Sequence, residues 1–147
     1  MWTLQFLGKF HAFVPLLLRA LVGPSFAFSH GYDKIMGPDG FDGGGDWVRE
    51  HSTTAPAFLL YIAVWTEFLA GLGLLAGLFT RWAAIGIVAV MTYAVFAVHW
   101  KNGFAAKNGG YEMALCYAVM SLCITAVGPG SLSLDRLFFQ KAALNAA

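Results

Sequence analysis

The sequence predicts an all-α fold: a four-transmembrane-helix up-down bundle, with a short interfacial segment at the N-terminus and a short amphipathic tail at the C-terminus. Three observations predict it. Apolar stretches recur at residues 13–32, 56–79, 82–100 and 111–127, and a hydrocarbon core about 30 Å thick takes about 20 helical residues to cross. The composition is 59% hydrophobic and 12% charged with mean hydropathy +0.65, which leaves too few charges to cover a soluble domain of this size. The connections are too short to hold a second domain, so the 147 residues form one membrane domain.

Taken in order, residues 2–13 are rich in aromatic residues and leucine and suit the headgroup boundary. A cleaved signal peptide is the competing reading, because Lys9 precedes an apolar run and Ala27-Phe28-Ser29 resembles a cleavage site. Arg19 interrupts that run after about eight residues, which favours a retained first crossing. Residues 33–55 carry the Gly, Asp and Pro of a turn-rich loop. Within it, Asp46 fits the N-cap of a short helix over residues 47–51, lying along the outer surface. Thr53 or Thr54 is expected to cap the second crossing, with Pro56 near its first turn. Asp39, Asp42 and Asp46 match no EF-hand spacing and read as a solvated turn.

In the second stretch the Gly73-xxx-Gly77 spacing lets another helix approach closely. Trp82 and Trp100 bracket the third stretch as interface anchors. Gly128-Pro129-Gly130 ends the fourth, and residues 134–144 form the tail. With four crossings both termini share a side, where Lys9, Arg19, Arg81, Arg136 and Lys141 meet Asp135. The other side holds Lys34, Arg49, Lys101 and Lys107. Five basic residues against four put the termini in the cytoplasm by the positive-inside rule.

The net charge of +1 says nothing about nucleic acid, but no basic run is present that could track phosphates, and no nucleic-acid partner is expected. The sequence holds no zinc pattern, phosphate loop or nucleophile elbow. Cys116 and Cys123 are about 10.5 Å apart along one helix, beyond the roughly 7 Å a disulfide tolerates. They read as small packing residues.

The ionisable side chains in the apolar stretches carry the functional question, since each is costly in lipid unless paired or wet. Glu67 falls near the midplane, roughly 15 Å from the start of its helix. It is either a proton-handling group or a structural partner of Arg19, His30 or a backbone carbonyl. His30 and Lys34 end the first crossing on the outer side, His99 and Trp100 end the third, Asn102 follows, and Glu112 opens the fourth. These residues are expected to converge on one outward polar pocket. Glu67, His30 and His99 would handle protons there. Lys34, Trp100, Asn102 and Glu112 would line the pocket, unless Lys34 and Glu112 merely snorkel or pair with each other. Arg81 reads as an orientation anchor. His30 and His99 at similar depth also raise a bis-histidine haem, which nothing in the sequence requires. The expectation is no metal and no haem.

Several of these segments together resemble the DoxX family. They are Arg19; His30-Gly31-Tyr32-Asp33-Lys34; Glu67 followed by residues 71–81; His99-Trp100-Lys101-Asn102-Gly103-Phe104; Asn108-Gly109-Gly110-Tyr111-Glu112; and residues 128–135. The ordered set spans nearly the whole chain, and its departure is a Gly-Asp-rich insertion around residues 38–46. The resemblance implies a four-helix protein of the bacterial inner membrane. Family members include membrane subunits of thiosulfate:quinone oxidoreductase and components of oxidative-stress assemblies. Related proteins that exchange disulfides use cysteine pairs, which this chain lacks. The resemblance therefore implies quinone as the ligand, with electrons arriving from another membrane or redox subunit or a diffusible donor. The other reading is a non-catalytic accessory subunit packed against a larger membrane complex, and a third is a lipid or small-molecule carrier.

Overall fold

A computed structural model describes residues 13–52 and 55–140, the side chains of residues 139 and 140 excepted. Residues 2–12 of the interfacial segment, the cap at Thr53 or Thr54, and residues 141–144 of the tail lie outside the described residues.

Helix α1 (Val14–Pro24) carries Pro15 in its first turn, where a missing N–H breaks no helical bond. Pro24 has no N–H to give the preceding turn, and the winding widens at the next residue into a π-helical stretch (Ser25–Tyr32). One further turn, α2 (Asp33–Ile35), completes a continuous rod. Strands β1 (Met36–Gly37) and β2 (Gly40–Phe41) then pair antiparallel, a two-residue ladder that the all-α expectation lacked.

Helix α3 (Gly45–His51) follows. Its expected Asp46 cap is corrected: Asp42 accepts the N–H of Gly44 at 2.9 Å and of Asp46 at 2.6 Å, while Asp46 pairs with Arg49. Gly44 occupies the N-cap at φ 91°, a conformation that costs glycine little. With Asp42 accepting its N–H, the Asp46 carboxylate is left to reach the next turn.

Helix α4 (Ala57–Ala76) is 20 residues long, about 30 Å of rise. It stops three residues short of the expected end because Gly77 turns left-handed at φ 70° and Leu78 N–H bonds back to Gly73 at 2.8 Å. Phe79 is also left-handed, at φ 48°, and the Asp135 carboxylate accepts both its N–H and that of Thr80, at 2.7 and 2.8 Å. That carboxylate starts α5 (Thr80–Tyr93), which continues through a π stretch (Ala94–His99) and a 3-10 turn (Trp100–Asn102). Helix α6 (Glu112–Val127) ends at Gly128, φ 82°, as the Gly-Pro-Gly sequence implied.

The first rod and α4 run antiparallel along a seam of small residues. A side chain on Gly23 would stand 2.8 Å from Leu75 N, and one on Gly31 would meet the backbone of Phe68. One on Gly71 would strike the backbone of Ala27. The close approach thus uses Gly23, Ala27, Gly31 and Gly71 rather than the Gly73 and Gly77 pair. Gly73 faces Leu78 and Ala83, and Gly77 lies under the Arg19 guanidinium. Without a hydrophobic drive between helices in lipid, such backbone-to-backbone packing is what holds them together.

Two helices, Ala57–Ala76 and Thr80–Asn102, are long and apolar enough to cross a membrane. In a soluble protein such helices would be core. Here only 33% and 22% of their apolar windows are buried, while Leu17, Phe58, Ile62, Leu69, Phe96 and Leu122 face outward. The core runs between the rods through Val22, Phe26, Leu74, Ile87 and Ile124.

Arg19 is 2% exposed. Its Nε donates to Leu74 O at 2.8 Å, Nη1 to Pro129 O and Leu132 O at 2.7 and 2.8 Å, and Nη2 to Leu75 O at 3.3 Å. One side chain therefore ties α1 to the end of α4 and to the segment after α6. The carbonyls at a helix C-terminus are the negative end of its dipole and suit a cation.

Replacing Arg19 by Met should destabilise the protein by on the order of 3 kcal/mol, since several buried carbonyls lose a charged donor. Arg19→Lys should recover only part, lacking the planar fork. Chemical unfolding in detergent measures both. Along the seam, Gly71→Ala should lower the melting temperature well below that of Gly73→Ala, whose added methyl meets only a 3.0 Å contact with Leu78 O. Equal melting of the two would contradict the seam.

Candidate functional site

The seam fixes which residues meet at the other end of the bundle. Because Gly31 lies on Phe68, the next turn of the first rod brings Lys34 to Glu67, and Lys34 Nζ donates to Glu67 Oε2 at 2.6 Å. Glu67 is 2% exposed and Lys34 21%. A lone carboxylate at this depth would be costly, and the ammonium offsets much of that cost. Of the partners the sequence offered for Glu67 and Lys34, the structure selects neither Arg19 for the first nor Glu112 for the second.

The pair forms part of the wall of a cavity of about 460 Å³. His30 and His99 also line it, as do Val90, Met91, Met113 and Ala114. Four of the seven residues expected to converge do so. His30 lies 5.1 Å from the Phe26 ring and edge-on to Tyr117 at 5.7 Å. His99 Nδ1 lies 2.8 Å from Gly109 O. A carbonyl only accepts, so Nδ1 carries a proton and Nε2 is the ring nitrogen left to face a ligand. Both histidines sit on π-helical stretches, a winding that recurs at functional sites.

Trp100, Asn102 and Glu112 do not line the cavity. Trp100 stacks on Tyr111 at 5.2 Å, Asn102 Nδ2 donates to Gly109 O at 3.0 Å, and Glu112 accepts the N–H of Ala106 at 2.9 Å. They shape the loop over residues 103–111, whose Ala106, Gly109 and Gly110 form the rim.

Two lining residues, Trp47 and His51, escaped the sequence reading, which laid their helix along the outer surface. Helix α3 instead folds over the cavity, anchored by Val48 at 3% exposure. Trp47 and His51 stack at 4.3 Å, and Lys34 Nζ stands 4.5 Å over the indole. Their four-residue spacing was the available signal, since it puts both rings on one helix face.

Among the described residues no group of three or more His, Cys, Asp or Glu gathers in ligating range. Cys116 and Cys123 are exposed free thiols.

The DoxX family model matches residues 14–100. A protein of Haemophilus influenzae described as uncharacterized is 32% identical over 92% of this chain and 98% of its own length. A second from the same organism is 28% identical over 83% of this chain and 81% of its own. The inner membrane protein YqjF of Escherichia coli K12 is 25% identical over 87% of this chain and 95% of its own. No solved structure matches the chain.

Removing one member of the buried pair should cost more than removing both. Lys34→Met or Glu67→Leu alone should destabilise by about 3 kcal/mol, because an unpaired charge stays buried. The double variant Lys34→Met with Glu67→Leu should regain most of it, and strictly additive losses in denaturant unfolding would contradict a direct pair.

Proposed function

The chain is a membrane protein of the DoxX family, and from that premise we propose that it is the membrane subunit of a quinone-linked oxidoreductase, with the cavity as the quinone site. The observation that carries the proposal is the Lys34 and Glu67 pair in the wall of that cavity, beside His30 and His99. In this reading four helical segments each cross the bacterial inner membrane, with both termini cytoplasmic and the cavity open to the outer half. The likeness to an inner membrane protein of Escherichia coli supports the compartment, and the distribution of basic residues supports the orientation.

The residues fit a quinone. A volume of about 460 Å³ lies in the range of roughly 300–1,000 Å³ usual for small-molecule clefts. Its apolar wall suits a ring and isoprenoid tail, and its few polar groups suit carbonyl oxygens. A quinone supplies two-electron redox chemistry and takes up one proton per electron. Lys34 Nζ and an N–H of the His30 imidazole would hold its oxygens. Glu67 and the Nε2 of His99 would hold and pass protons at the cavity wall. Trp47 and His51 would cover the ring and keep bulk water out. Trp100, Asn102 and Glu112 would act at one remove, by fixing the rim and the His99 ring. Electrons would come from a partner redox subunit or a diffusible donor.

An accessory subunit without chemistry makes a different demand, because it needs no ligand in the cavity. A short-chain benzoquinone titrated into the detergent-purified chain should quench tryptophan fluorescence, and Trp47→Phe should remove most of that quenching. In membranes with the native donor, Glu67→Gln should lower quinone reduction by about 100-fold while leaving insertion intact. Absence of quenching together with full turnover in Glu67→Gln would exclude the quinone reading and leave the accessory one.

A further inference from the structure

The opposite end of the bundle carries a second site. Thr80, Arg81, Trp82, Pro129, Gly130, Asp135 and Arg136 enclose a pocket of about 680 Å³. From it an apolar crevice of about 700 Å³ runs between α4 and α5. The two share Phe79 and Trp82 as a common wall. We propose that together they bind one anionic phospholipid, its phosphate on Arg81 and Thr80 and an acyl chain in the crevice.

Charge complementarity carries the headgroup half. Arg81 and Arg136 face the pocket against a single acid, Asp135, whose carboxylate is already committed to the N–H groups of Phe79 and Thr80. Arg81 is exposed, stands over Gly128, and among the described residues is held by no ion pair. Thr80 is 0% exposed, yet among the described residues its hydroxyl has no hydrogen-bond partner. A buried orphan hydroxyl costs free energy that a phosphate oxygen would recover. Arginine supplies the bidentate fork that a phosphate takes up.

Shape carries the tail half. Gly73, Ala76, Ala83 and Gly86 leave the floor of the crevice without large side chains, and Leu69 and Trp82 flank it. From Ala76 to Ile62 the crevice follows about 20 Å of helix, enough for a chain that spans one leaflet of roughly 15 Å. Trp82, 74% exposed, stands where polar pocket and apolar crevice meet, as indoles do at the interface.

Native mass spectrometry of the full chain in detergent tests this, using dioleoylphosphatidylglycerol, dioleoylphosphatidylcholine and inorganic phosphate as probes. The expected result is about tenfold preferential retention of phosphatidylglycerol over phosphatidylcholine. Arg81→Gln should abolish that preference, and Ala76→Leu, at an exposed position on the crevice wall, should lower retention of both lipids by filling the crevice. Circular dichroism and melting report whether each variant folds. Arg136→Gln serves as the second headgroup variant should Arg81→Gln fail, with a reduced preference expected. Equal retention of the two lipids, a preference unchanged by these substitutions, displacement by millimolar inorganic phosphate, or a dimer mass in place of a lipid adduct would each overturn the proposal.

Discussion

A charge cannot remain unpaired where lipid replaces water, and this constraint shapes both ends of the molecule. At one end Arg19 spreads its guanidinium over carbonyls of α4 and of the segment after α6. At the other, Lys34 closes on Glu67. Both cations belong to the first rod and both reach α4 or its end. The glycine seam between the two rods sets the register, and the register decides which charges meet. Loss of that close approach would separate Lys34 from Glu67 and draw Arg19 away from Leu74.

The two polar ends differ in kind. Four of the five N–H donors of Arg19 go to backbone carbonyls, and the side chain is buried away from open space. It serves as a fastener. The Lys34 and Glu67 pair borders open space, with two imidazoles and an indole beside it. The pocket at the Arg81 end, by contrast, is lined by two arginines and by an aspartate whose carboxylate is held by two backbone N–H groups. That contrast is the geometric ground for placing the proposed quinone site at the Glu67 end.

Much of the fold was legible because its signals are local. Apolar length marked the helices, and Gly77 and Gly128 ended two of them by adopting left-handed backbone. His30, Lys34, Glu67 and His99 converged as helix direction and rise implied. What failed was long-range. No local pattern told that Asp135 would start α5 from 55 residues away, or that Gly71 rather than Gly73 would meet the first helix. The Asp46 cap failed because the helix begins earlier, at Gly45, where Asp42 accepts the N–H groups of Gly44 and Asp46, while the Asp46 carboxylate pairs with Arg49. Trp100, Asn102 and Glu112 had the right depth but the wrong facing, which loop geometry sets and spacing does not reveal. Helix α3 was read correctly as an element, while its docking over the cavity depended on Val48 and on the turn before it.

Glu67 faces Lys34 as an ion pair inside the bundle, 2.6 Å apart. Infrared difference spectroscopy of the reconstituted protein at neutral pH, wild type against Glu67→Gln, tests it most directly. The account predicts that the substitution removes carboxylate bands and no protonated-carboxyl band. Loss of a protonated-carboxyl band instead would show a neutral Glu67, with no ion pair in the cavity wall.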